Sequence, residues 1–347
     1  MPVKRGPLLI AALSMGLLAV AAGFGAAERA AVTAERRAGD AERIEITAEP
    51  IAAFDPRDLS RHKFGALQFR GGLVLKSSYQ EFGGISALRV APDGKNFIAL
   101  TDHAYWLRGQ IAYRNERPDA IVDAEMALIL GADGRPLNRR GWYDTESLAE
   151  VDGALYVGIE RVNEIVRFAY RGQGLPGRGQ PIAVPPEIKK LPSNKGLECL
   201  AAPPKGMPLA GTLIAVSERG LDAAGNILGF LIGPAGGTFT VKRNDEFDIS
   251  DCAITPRGDL LVLERRFSWA RGVAMRIRRL ALSALRPGAV LDGPELIFAD
   301  LGYQIDNMEA ISVHRAADGG LVLTLISDNN FSVLQRTVLL QFTLAEE

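Results

Sequence analysis

The sequence predicts an all-β chain folded as a β-propeller, in which several short antiparallel sheets are arranged around one axis, and three observations carry that prediction. A two-strand hairpin pattern recurs five times. Each copy opens on an acid or a small polar residue and closes on an acid. The first and last strand-like stretches of the folded region are suited to pair with each other. Repeated four-stranded units of about 50 residues are the mark of a propeller.

The elements follow in chain order. Residues 1–27, "MPVKRGPLLIAALSMGLLAVAAGFGAA", place Lys4 and Arg5 before an apolar run from Pro7 to Ala22 and a small-residue exit at Gly25-Ala26-Ala27. That is the layout of a secretory signal peptide. An uncleaved membrane anchor is the competing reading, because the run approaches the roughly 20 residues that span a bilayer. Residues 28–45, rich in Ala and charge, are expected to be a flexible linker, and 46–347 a single domain. The mature protein is therefore expected to be periplasmic or secreted, off the membrane once cleaved, and monomeric.

The five repeats are 83–103, 144–161, 196–219, 249–266 and 307–330. Each joins two apolar strands through a turn such as Pro92-Asp93-Gly94 or Val151-Asp152-Gly153, the residue types that hairpin turns need. Aligned on Ser86, Glu146, Glu198, Asp251 and Glu309, they are spaced by 60, 52, 53 and 58 residues. Dividing the folded region by about 50 residues per blade gives six four-stranded blades. Residues 64–77 are expected to pair with 337–344 and close the ring, which removes exposed sheet edges.

Composition excludes several functions. Lys and Arg number 40 against 41 Asp and Glu, a formal charge of −1, so no basic excess argues for nucleic acid. There is no G-x-S-x-G elbow, P-loop or G-x-G-x-x-G before a helix, which leaves serine-hydrolase, NTPase and dinucleotide readings unsupported. Cys199 and Cys252 each follow a leading acid, in a compartment that permits disulfides. Equivalent positions on neighbouring inner strands lie close to the roughly 7 Å limit between Cα atoms, so the pair is read as two buried thiols, with a disulfide as the alternative.

The acids carry the functional argument. The first strand of each blade lines the channel, so equivalent acids converge. Leading acids are Glu146, Glu198, Asp251 and Glu309; trailing ones are Asp102, Glu160, Glu218, Glu264 and Asp328. Carboxylates crowded in a partly dry funnel must be protonated, paired or bound to metal. With Asn307 they form an all-oxygen set that suits a hard cation, Ca²⁺ ahead of Mg²⁺ or another divalent ion. Arg161, Arg219 and Arg265 follow trailing acids; successive strand residues face opposite sides, so each arginine is expected to reach an acid of a neighbouring blade. His103 takes the equivalent place after Asp102, as a hydrogen-bonded spacer, a general base or a phosphate contact.

The stretches "EFGGISAL" (81–88), "DTESLA" (144–149), "NKGLECLA" (194–201), "LLVLERRFS" (260–268), "DNMEAI" (306–311) and "SDNNFSVLQRTVLLQF" (327–342), in that order, resemble the family known as esterase-like activity of phytase. The likeness spans about residues 64–344. The family's usual D-x-E-G here reads Asp144-Thr145-Glu146-Ser147, and its N-F-E reads Asn307-Met308-Glu309; both departures keep the acids. The resemblance implies a β-propeller that hydrolyses small-molecule phosphate or carboxylic esters with water activated by calcium. Glu146, Glu198, Glu309 and His103 are then the expected catalytic groups, with Arg161, Lys195, Arg219, Arg265 and Arg266 expected to bind substrate. A non-catalytic periplasmic propeller with a structural metal, and a lactonase similar to the gluconolactonase-like propellers, are the alternatives.

Overall fold

The computed structural model of the chain describes residues 39–269 and 272–344. The predicted signal peptide, and residues 28–38 of the expected linker, lie outside these residues. Among them there is no α-helix, only strands and short 3-10 turns. No helix there is long and apolar enough to cross a membrane.

Five sheets, not six, form the ring, antiparallel except where Val290–Leu291 pairs parallel with Thr238–Val241 at the outer edge of the third. Their inner strands are Ile85–Val90, Thr145–Val151, Leu197–Ala201, Asp248–Ile254 and Asn307–Arg315, defining blades one to five. In blade five the order from the axis outward is Asn307–Arg315, Leu321–Asp328, Thr337–Leu344, Leu67–Lys76 and Thr47–Ile51. The expected closure is present, since Leu67–Lys76 pairs antiparallel with Thr337–Leu344. That pairing also corrects the blade count. The N-terminal strands complete the fifth sheet and leave no material for a sixth. The short strand Glu42–Arg43, within the expected linker, adds an outer edge to blade one.

The hairpins form where turn chemistry allows. Asp152 (φ 47°) and Gly153 (φ 76°) are both left-handed between the paired residues Val151 and Ala154, the two-residue turn whose twist matches its strands. Successive side chains point to opposite faces and the inner strands are buried on both, so five apolar clusters fill the spaces between adjacent blades. Between blades one and two, Trp106 meets Phe168 edge-on at 5.1 Å; between four and five, Phe54 meets Phe342 at 5.1 Å.

Each inner strand carries one β-bulge near its start. The residue left out of the ladder is Ser86, Glu146, Glu198, Ser250 and Glu309 in blades one to five. Blade four therefore aligns on Ser250, one residue before the Asp251 that the sequence suggests. A one-residue slip sends a strand's side chains to the opposite face.

The slip also corrects the cysteine reading. Cys199 stands one residue past its bulge and Cys252 two residues past, so they are not equivalent. Their Cα atoms lie 5.2 Å apart and they form a disulfide between blades three and four. Reducing it, or substituting Cys199→Ser, is expected to cost roughly 2–4 kcal/mol and to lower the melting temperature by several degrees. Differential scanning calorimetry with and without reductant measures this; an unchanged midpoint would show that the bridge does not hold the blades.

Candidate functional site

The residue that follows the bulge's partner on the second strand is also equivalent from blade to blade: Asp102, Glu160, Glu218, Arg265 and Asp328. Three backbone bonds of one kind hold the first three, from Asp102 N to Gly84 O (2.8 Å), Glu160 N to Asp144 O (2.8 Å) and Glu218 N to Gly196 O (2.7 Å). The fold thus brings Glu146, Glu198 and Glu309 from the bulges together with Asp102, Glu160, Glu218 and Asp328. Blade four contributes Arg265 where the others contribute an acid.

Arg265 anchors one side of the cluster. Its Nη1 lies 2.5 Å from Glu309 Oε1 and donates to Asn307 Oδ1 at 2.7 Å, while Nη2 is 3.6 Å from Glu218 Oε1. Asn307 Nδ2 donates to Glu309 Oε1 at 2.7 Å. Lys195 Nζ meets Glu218 Oε2 at 2.5 Å, and the Gly196 N–H donates to Glu160 Oε1 at 2.7 Å. Glu146 and Glu198 accept no hydrogen bond among the described residues, although Glu198 is buried. Carboxylate oxygens of Glu160, Glu198 and Glu218 all lie within 4.8 Å of one another.

Burial, then mutual repulsion, dominates the electrostatics. Glu198 is pushed well above the usual carboxylate range by burial and by Glu146, Glu160, Glu218 and Glu309. Glu146, which keeps part of its surface accessible, is raised likewise by burial, Glu309 and Glu160. Burial lifts Glu160 to about 7, against the pull of the Gly196 N–H. Asp102 reaches about 7 through burial and Asp328, and Asp328 about 6 through burial. Burial raises Glu309 to about 8 despite Arg265. Burial works against the charge on Arg265, but Glu309, Glu198, Glu218 and Glu146 more than offset it and hold the guanidinium firmly protonated.

Other residues singled out in the sequence lie elsewhere. Asp251 points along the channel away from this cluster, where both its oxygens meet Arg89 (3.0 and 3.2 Å) and Oδ2 accepts from Ile311 N at 2.9 Å. Arg89 also donates to the carbonyls of Leu88, Leu200, Cys252 and Ile311, so it touches four of the five inner strands and plugs the axis. Glu264 faces blade three, held by Arg276 (2.7 Å) and Arg278 (2.6 Å). The slip in blade four explains both: Ser250 and Arg265 occupy the places expected for Asp251 and Glu264.

The remaining arginines are engaged by partners outside the acid cluster or at its border. Arg219 pairs with Asp248, Arg266 lies 4.7 Å over the Phe247 ring, and Arg161 lies 4.3 Å over Tyr143 and 3.7 Å from Asp144. His103 stacks on Phe331 at 4.3 Å, with Nδ1 3.6 Å from Glu81. Asp144, overlooked as a site residue although it opens the "DTESLA" stretch, borders the cluster, and burial raises its carboxyl.

The donor set fits a hard divalent cation. It is all oxygen, and buried Glu198 has carboxylates beside it rather than hydrogen-bond donors. Lys195 and Arg265 neutralise part of the cluster, but Glu146, Glu160 and Glu198 remain beyond their direct ion pairs.

Comparison with known proteins adds the following. The sequence profile described as "Phytase-like: Esterase-like activity of phytase" matches residues 80–331. No curated protein matches the chain. Among solved structures, Myxococcus xanthus glutaminyl cyclase is similar at 12% identity and TM-score 0.39, over 76% of this chain and 92% of that one. The WD40 repeats of RRP9 give 10% and 0.39, over 80% and 99%. The PQQ-bound aldose sugar dehydrogenase of Streptomyces coelicolor gives 13% and 0.39, over 78% and 97%. Similarity at that level carries no inference about activity.

Proposed function

Because the chain belongs to the phytase-like family of esterase-like activity of phytase, we propose that it is a divalent-cation-dependent hydrolase of small carboxylic or phosphate esters, working at the acidic end of its channel. The observation that carries this reading is the buried trio Glu160, Glu198 and Glu218, whose oxygens lie within 4.8 Å of one another while Glu198 lacks any hydrogen bond among the described residues. Ca²⁺ is the proposed ion because all the donors are carboxylates.

Glu160, Glu198 and Glu218 would hold the cation, with Glu146 beside them. When bound it supplies Lewis-acid polarisation of an ester or phosphoryl oxygen. Glu146, raised by burial and unpaired, is placed to hold a proton and pass it to or from the reacting group. Arg265, fixed by Asn307 and Glu309, keeps a full positive charge where negative charge develops. Arg89 and Asp251 close the channel below, which limits access to the mouth. The N-terminal segment supports export to the periplasm or beyond.

The test is turnover of 4-nitrophenyl acetate, 4-nitrophenyl phosphate, phytate and a simple lactone, with Ca²⁺ or with EDTA. EDTA-sensitive hydrolysis of an acyclic ester or phosphoester is the expected result. Lactone-only turnover would transfer the site to lactonase chemistry. Calcium binding without any turnover would leave a binding propeller and refute the hydrolase.

A further inference from the structure

Beside the acid cluster the chain holds a bulky aromatic ring in an uncommon backbone conformation. Asn330 (φ 47°) and Phe331 (φ 49°) are consecutive left-handed residues without being glycine. That conformation is unfavourable for a bulky side chain, so it persists only where the surroundings enforce it. Here Asn329 enforces it: its Oδ1 accepts from Gly84 N and Phe331 N, both at 3.2 Å. Gly83 and Gly84 make room. A Cβ on Gly83 would lie 2.6 Å from Asn329 Oδ1, and one on Gly84 would lie 2.6 Å from Phe331 Cε2 and collide with Asp102. Ring and carboxylate therefore converge on Gly84, while Gly83 accommodates the ring and Asn329.

The ring is neither buried nor idle. Phe331 is 38% exposed and lies parallel to His103, with centroids 4.3 Å apart and planes 11° from parallel. The His103 side chain is half exposed. A stacked pair that keeps open surface at the edge of a charged funnel can receive a flat, uncharged group. A polyanion is disfavoured there. Asp102, Asp144 and Asp328 stand around the pair, and Arg161, Lys195 and Arg265 are each already engaged by acids.

We propose that the Phe331–His103 pair is an aromatic platform that selects substrates carrying an uncharged aryl ring beside the scissile ester. The proposal rests on the hydrolase reading for its word "substrate", but the platform can be tested without turnover. In the Ca²⁺-loaded protein, binding of the uncleavable probe 4-nitroanisole is followed by saturation-transfer NMR for the wild type, Phe331→Ala and Phe331→Tyr, each checked for an unchanged melting midpoint. An aromatic contact of about 0.5–1.5 kcal/mol corresponds to about a twofold to tenfold loss of affinity in Phe331→Ala, with binding retained in Phe331→Tyr. For 4-nitrophenyl acetate the same factor should appear in KM with kcat unchanged, and the KM for ethyl acetate should not move.

Equal binding by wild type and Phe331→Ala, or no binding by either, overturns the platform. Probe binding that depends on Phe331, without turnover of any ester, upholds the platform and refutes the hydrolase reading instead. Turnover of aryl esters with an unchanged KM in Phe331→Ala does the reverse.

Discussion

Saturating Ca²⁺ is expected to raise the melting temperature of chelator-stripped protein by about 5–10 °C at pH 8. A ligand at 100 times its dissociation constant stabilises by about 2.7 kcal/mol, and a chain of this size shifts by roughly 2–4 °C per kcal/mol. The source of the gain is specific. Without a cation, Glu146, Glu160 and Glu198 face one another in a site where burial already disfavours their charge. Ion binding relieves repulsion and desolvation together, so the response should exceed that of an isolated surface carboxylate pair.

Glu198→Gln tests the same account with opposite signs. In chelator it removes one buried, repelling carboxylate, and the variant should melt higher than wild type. In calcium it removes a ligand, and most of the calcium-dependent gain should vanish. Loss of a direct ligand should weaken the ion by more than the 10–100-fold typical of an outer-shell partner, about 100-fold or more. Calorimetry in the two buffers reads both effects. A variant that melts lower than wild type in both buffers by the same amount would show Glu198 to be a structural residue with no ion to hold.

The propeller is legible in the sequence because its signal is redundant. Five hairpins repeat the same alternation and the same acids, and no single one decides the fold. The number of blades is less legible, because Leu67–Lys76 could be read as part of a further blade until its pairing with Thr337–Leu344 is known. The acid ring is legible in blades two, three and five, where each bulge residue is a glutamate. Blade four misleads. "SDCAI" aligns with "LECLA" on its cysteine, which puts Asp251 opposite Glu198, whereas the bulge falls on Ser250. Where a bulge falls depends on ladder geometry, and a one-residue difference carries no compositional mark. The same slip makes Arg265, rather than Glu264, the group that faces the acids, and it offsets Cys252 enough to meet Cys199.

Stability in chelator is expected to fall as pH rises from 5 to 8, opposite to the trend of an ordinary acid-labile protein. The carboxyls of Asp102 and Glu160 are raised to about 7 and that of Asp328 to about 6, above their unfolded values. A group whose folded pKa is raised binds its proton more tightly in the native state. Its stabilisation is complete below the unfolded value and is lost as pH climbs through the folded one. For a buried group shifted as far as Glu160 the loss is on the order of 3 kcal/mol, at 1.36 kcal/mol per pKa unit. Below about pH 4 the trend should reverse, because carboxylates held low by hydrogen bonds, such as Asp93 and Asp222, become protonated. Calcium should cancel the fall, since it competes with protons for the same oxygens and binds more tightly as they leave. The gap between calcium and chelator melting curves should therefore be small at pH 5 and widest at pH 8. A chelated midpoint that stays level or climbs across that range would mean that these carboxyls do not carry raised pKa values, and with that the argument for a cation at Glu160, Glu198 and Glu218 would lose its electrostatic basis.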